Sequence, residues 1–181
     1  MNKKIRWITE TAILLALLVT LQAVTKPLGQ LVTGSCVNAI LAVAVLFAGL
    51  GSGLTIAVIS PVLAFLLGIA PQILTVPAIM VGNAVFVLLL HFLADPAGKK
   101  LVKQLLAWLV AAAAKFAVLY LIVTKVICGF LADSLMEAGT LKAPMLKALP
   151  ATFSWPQLFT ALLGGAVALL ITPVLRKALK K

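Results

Sequence analysis

The chain has 181 residues, of which 64% are hydrophobic and only 10% charged, and its mean hydropathy is +1.22. A water-soluble domain of this length could not bury so much apolar surface, so the composition points to a bilayer. The net charge of +11 is spread through the gaps between apolar runs, which follows the positive-inside pattern of membrane proteins and excludes a nucleic-acid-binding arm.

A transmembrane helix needs about 20 mostly apolar residues. Six such spans are expected, roughly at 7–25, 34–50, 53–70, 74–94, 101–127 and 156–175, within one all-α transmembrane domain of residues 1–181. The apolar segment after Arg6 leads to no small-residue cleavage site and is followed by further spans, so it reads as a first span and not as a signal peptide. Within it, Ala12 and Ala16 are four apart and form a flat strip where another helix can approach closely. Glu10 lies one turn earlier. Lys26-Pro27-Leu28-Gly29 breaks the chain, and Gly29 to Ser35 reads as a polar outer loop. The short second and third spans meet at Gly49-Leu50-Gly51-Ser52-Gly53, a glycine turn that leaves a tilted or partly re-entrant hairpin open. Ser60-Pro61 reads as a kink whose serine satisfies freed backbone groups. Further breaks are expected at Pro71-Gln72, at Asp95-Pro96-Ala97-Gly98 and in a long linker from about 128 to 155. In the sixth span Ala161 and Gly165 repeat the small-residue spacing, and internal packing explains them. Cys36 and Cys128 read as small apolar residues.

Lysine and arginine counts set the orientation. With both termini inside, the cytoplasmic side takes Lys3, Lys4, Arg6, Lys99, Lys100, Lys103, Arg176, Lys177, Lys180 and Lys181. The outer side takes Lys26, Lys142 and Lys147. Ten against three favours N-in, C-in. Lys125 can reach the outer interface, His91 lies near the cytoplasmic one, and Trp7, Trp108 and Trp155 fall at or near interfaces.

Lys115 remains. A lysine near mid-span costs at least about 2.5–3.5 kcal/mol on insertion scales, so it must face the bundle interior and find a partner. The four acidic residues, Glu10, Asp95, Asp133 and Glu137, all lie away from mid-span, which makes a bound anion a candidate partner. Asn38 and Asn83 fall at similar depths, in the outer half of the membrane. Together with Gln30 and Thr33 above them, they outline a pocket open to the outside for a small, polar, anionic solute. The same residues also read as hydrogen-bonding glue between helices, with Lys115 snorkelling or held by carbonyls.

The sequence carries no Walker A, His-Glu-x-x-His, Cys-x-x-Cys or Gly-x-Ser-x-Gly motif, so no cofactor, metal or enzymatic activity is expected. It also has no intramembrane carboxylate pair for proton coupling. A binding subunit that takes its energy from a partner is the leading expectation. A structural accessory subunit and a standalone secondary carrier are the alternatives.

Six short spans, the Ala12/Ala16 strip, polar outer loops over a pocket and a closing helix from Pro156-Gln157-Leu158 to Arg176-Lys177 resemble the substrate-binding S components of energy-coupling factor (ECF) transporters. The resemblance implies a high-affinity subunit of an ATP-binding-cassette importer in the bacterial cytoplasmic membrane, which captures a vitamin or similar micronutrient from outside. It implies partners: a membrane coupling subunit, contacted through Ala12 and Ala16, and two ATPases. It implies substrate contacts in loops near 26–35, 69–75 and 128–155, which bring in Gln72. The family's metal-transporting branch carries an N-terminal histidine motif that this chain lacks. Aromatic residues are too sparse for a flavin or pterin, with Tyr120 alone expected near the pocket. Lys115 favours a carboxylate such as pantothenate or nicotinate.

Overall fold

The computed structural model describes residues 2–69, 72–95, 98 and 100–179. Pro71, Pro96, Ala97, Lys99, Lys180, Lys181 and the last residue expected in the third span lie outside the described residues. Among those described, the chain is helical throughout, with no strand. The helices are α1 (Lys3–Thr25), α2 (Gln30–Val43), α3 (Leu50–Leu66), α4 (Val76–Leu93), α5 (Leu101–Leu119), α6 (Ala132–Glu137), α7 (Ala143–Thr152) and α8 (Trp155–Ala178). Two π-helical stretches extend them, Ala44–Ala48 after α2 and Tyr120–Phe130 after α5. Five stretches are long and apolar enough to cross a membrane: Lys3–Leu28, Gln30–Ala48, Ile73–Leu93, Leu101–Phe130 and Ala143–Ala178. At 17 residues α3 is shorter.

Local chemistry explains the boundaries. The Asn2 side chain accepts from the Lys4 amide at 3.1 Å and caps α1. Glu10 pairs with Arg6 one turn away, at 2.9 Å. A 3-10 turn at Lys26–Leu28 ends α1, and Gly29, at φ 89°, takes the left-handed conformation that lets α2 start at once. The expected polar loop to Ser35 is therefore short. Gln30, Thr33 and Ser35 are helical, and the Ser35 hydroxyl is satisfied by donating to the Leu31 carbonyl at 2.6 Å. The glycine-rich turn likewise reduces to Gly49, because Leu50–Gly53 already belongs to α3. The expected 128–155 linker is also corrected. It holds α6 and α7, whose Leu149 and Phe153 pack with Ala78, Leu119, Val123 and Ile127 into a small second core at one end of the bundle.

The main core joins α1, α2, α3, α4, α5 and α8 around Leu18, Leu41, Ile56, Phe86 and Leu90. Thr11, Leu18 and Thr25 form the buried seam of α1, and the Thr11 hydroxyl meets the buried Ser52 hydroxyl of α3 at 2.7 Å. Trp108 is not an interface anchor. Its indole N–H donates to the Ala161 carbonyl at 3.3 Å, and its ring lies against Gly165, so the α8 small-residue strip packs internally.

The crossing of α2 and α8 fixes the site. A Cβ on Gly164 would stand 2.5 Å from the Ser35 carbonyl oxygen and 2.6 Å from the Asn38 Cβ. Only glycine lets α8 come this close. Gly164→Ala should cost about 1–3 kcal/mol through overpacking, seen as a lower melting temperature of the purified protein. An unchanged melting temperature would show that the crossing relaxes freely.

Candidate functional site

A cavity of about 270 Å³ lies at the end of the bundle that carries the α1–α2 turn, the α3–α4 connection and the α7 cap. This is close to the lower limit of the roughly 300–1,000 Å³ usual for small-molecule clefts. Six of the residues expected to bind a solute line it: Gln30, Thr33, Asn38, Gln72, Asn83 and Lys115. Tyr120 is corrected. It is absent from the lining and pairs instead with Phe116, ring centroids 6.0 Å apart, and with Lys125, whose Nζ lies 5.5 Å from its ring centroid. The reason is geometric: five residues after Lys115 on a regular α-helix, Tyr120 stands about 140° around from it.

The floor is built around Lys115, which is 3% exposed. Its Nζ donates to Asn38 Oδ1 and to Asn83 Oδ1, both at 2.6 Å. Each amide is oriented by what its other end touches. Asn38 Nδ2 donates to Thr160 Oγ1 at 3.2 Å, and that hydroxyl donates to the Gln157 carbonyl at 3.1 Å. Asn83 Nδ2 points at the Ala57 carbonyl, 3.5 Å away. Below the ammonium, the Phe86 ring centroid is 5.6 Å from Nζ, within the range of a cation–π contact. Three helices thus meet at one nitrogen, and α8 and α3 brace the two amides that hold it. Two N–H groups of an ammonium, which has three donors, go to neutral amide oxygens. No carboxylate lines the cavity, so no acid there offsets the charge of a protonated Lys115.

The walls are amide-rich. Gln22, Thr75, Thr152, Phe153 and Gln157 join the lining, none of them anticipated individually from sequence. Gln22 and Gln157 carried the same signal as Asn38, a polar side chain inside an apolar run near the outer end of a span. Above, Lys26 Nζ donates to the Gly68 carbonyl at 2.6 Å and ties the first connection to the third. Thr25 donates to Thr33 at 3.2 Å.

Ala12 and Ala16 lie elsewhere, exposed on the outer side of α1. His91 is exposed at the other end of the bundle, edge-on to Phe92, and Cys36 and Cys128 are unpaired. Among the described residues, no cluster of histidine, cysteine and carboxylate side chains could hold a metal ion.

Neither the curated proteins nor the solved structures include a match to this chain. The family described as "ECF transporter, substrate-specific component" matches residues 6–176, nearly the whole sequence. The chain therefore belongs to the substrate-specific component family of ECF transporters, membrane transport subunits that bind substrate.

Proposed function

We propose that this chain captures a small carboxylate-bearing vitamin or related micronutrient from outside the cell, in the cavity above Lys115. It delivers the solute by docking on a membrane coupling subunit driven by two ATP-binding-cassette ATPases. The observation that carries this reading is the buried Lys115 ammonium, held only by neutral amides at the floor of a cavity without a carboxylate. An anion there would neutralise the charge and take the remaining N–H as a charge-assisted bond. Pantothenate and nicotinate are the leading candidates.

Charge supports the orientation. The described Lys3, Lys4, Arg6, Lys100, Lys103, Arg176 and Lys177 belong to the end opposite the cavity, while Lys26, Lys142 and Lys147 belong to the cavity end. A cytoplasmic terminal end leaves the cavity facing outward, with α3 as the sixth and shortest span.

The test is thermal unfolding of the purified protein against a panel of B vitamins. A ligand at 100 times its Kd stabilises the folded state by about 2.7 kcal/mol, and one carboxylate should raise the melting temperature well above the others. A panel with no response would leave the second reading. That reading has its own support: the Lys115–Asn38–Asn83–Thr160 network ties α5, α2, α4 and α8 together, as structural glue in an accessory subunit would.

A further inference from the structure

Two cavities meet at Arg176, at the end of the bundle opposite the Lys115 cavity. One, of about 260 Å³, lies against the π-helical end of α2 and the last turn of α4, where His91 and Asp95 line it. The other is a crevice of about 90 Å³ between the start of α5 and the end of α8, walled by Leu46, Leu101, Leu169 and Pro173. Leu101 and Pro173 are exposed, so the crevice opens on surface that acyl chains cover in a bilayer.

Arg176 is half-buried there for a structural reason. The last carbonyls of a helix have no donor within it, and Arg176 Nη2 donates to one of them, the Leu46 carbonyl, at 2.5 Å. Gly98, at φ 70°, brings the α4–α5 connection so close that a Cβ would stand 2.7 Å from Nη1. A guanidinium has five N–H donors, and Leu46 is its one hydrogen-bonded partner among the described residues. The other donors sit at the head of an apolar crevice. Lys100, Lys103 and Lys177, exposed on the same two helix ends, add positive charge around it. Asp95 belongs to the adjoining cavity, where it accepts from the Lys100 backbone N–H at 3.3 Å, and no acid lines the crevice among the described residues.

The arginine fork matches phosphate oxygens, and basic pockets between transmembrane helices on the cytoplasmic side hold anionic lipid headgroups. A free phosphate would gain nothing from the apolar walls, whereas a lipid uses both parts. We infer that the crevice holds an anionic glycerophospholipid, its phosphate on Arg176 and its acyl chains along α5 and α8. On the proposed orientation this is a lipid of the cytoplasmic leaflet. The site is independent of the solute that the opposite cavity takes.

The experiment is native mass spectrometry of the full-length protein in a mild detergent. The protein is titrated with phosphatidylglycerol and with phosphatidylcholine of the same acyl chains. One phosphatidylglycerol should be retained per chain, with an apparent Kd at least tenfold lower than that of phosphatidylcholine. A basic residue near an anionic headgroup is worth about fivefold, so Arg176→Gln should weaken phosphatidylglycerol by at least that much. That variant also uncaps Leu46 and can unsettle the fold. Leu101→Glu avoids this, because a carboxylate in the first turn suits the α5 dipole yet repels a phosphate in the crevice. It should fold as well as wild type and lose phosphatidylglycerol at least fivefold. Lys3→Gln/Lys4→Gln removes two charges from the same end outside the crevice and should leave affinity within twofold. The inference is overturned if the two lipids bind alike, if Leu101→Glu leaves phosphatidylglycerol within twofold, or if the Lys3/Lys4 double variant loses as much as Leu101→Glu. Displacement of the lipid by millimolar inorganic phosphate would overturn it in favour of a free anion. Lost uptake in Leu101→Glu with lipid retention unchanged would overturn it in favour of the coupling subunit.

Discussion

Lys115→Met should weaken solute binding strongly while leaving a folded protein. Removing one partner of a buried, hydrogen-bonded charge costs about 2–5 kcal/mol of binding, and each 1.4 kcal/mol is a factor of ten. A loss of about 30-fold to several thousand-fold is expected. The effect on folding is a difference of opposing terms. The variant leaves Asn38 Oδ1 and Asn83 Oδ1 without their donor, at about 1–3 kcal/mol for each orphaned group. It also removes the desolvation of a buried ammonium, worth several kcal/mol in the other direction. These nearly cancel, so the unliganded melting temperature should move little. Structural glue predicts the reverse, a large drop in melting temperature with nothing to bind. Lys115→Gln separates charge from hydrogen bonding, because it can still donate to one of the amides. If charge recognition is the reason for the lysine, Lys115→Gln should bind as poorly as Lys115→Met. Unchanged affinity in both variants would sink the anion-site proposal.

The floor of the cavity was legible in the sequence because membrane physics makes intramembrane polarity expensive. Lys115, Asn38 and Asn83 stood out against apolar runs, and counting residues along helices placed them at similar depths. The structure brings them within one hydrogen-bonded cluster. The walls and roof were harder to read. Thr152 and Phe153 lie in a segment whose periodicity is broken by Pro144 and Pro150, so it read as a linker. Its helical form follows from packing on the π-helical stretch and α4, a tertiary contact that no local pattern encodes. Tyr120 was placed near the cavity because it shares an apolar run with Lys115, yet at 3.6 residues per turn it lies about 140° around the helix from that lysine. The first loop was drawn too long because Gly34 and Ser35 look like loop residues, whereas Gly34 lies against Thr160 in the α2–α8 crossing and Ser35 bonds back to its own helix.

Ala12→Trp and Ala16→Trp should spare solute binding and lower uptake. Both alanines are exposed on α1, and the buried seam of that helix runs through Thr11, Leu18 and Thr25 instead. An indole at either position therefore meets no neighbour within the chain, and the melting temperature and ligand affinity should hold. A partner helix that approaches at the alanine strip would meet the indole directly. Overpacking of a close contact costs about 1–3 kcal/mol, and that range corresponds to about 5–150-fold in an equilibrium constant. Uptake by cells that also express the coupling subunit and ATPases should fall by that order, more in the double variant than in either single one. The exposed Leu170 of α8, 75% accessible, supplies the control. Leu170→Trp places the same indole on a lipid-facing surface and should leave uptake intact. Equal losses from Leu170→Trp and Ala16→Trp would mean that the indole disturbs membrane insertion in general. Full uptake by the Ala12→Trp/Ala16→Trp double variant would place the docking surface on another helix.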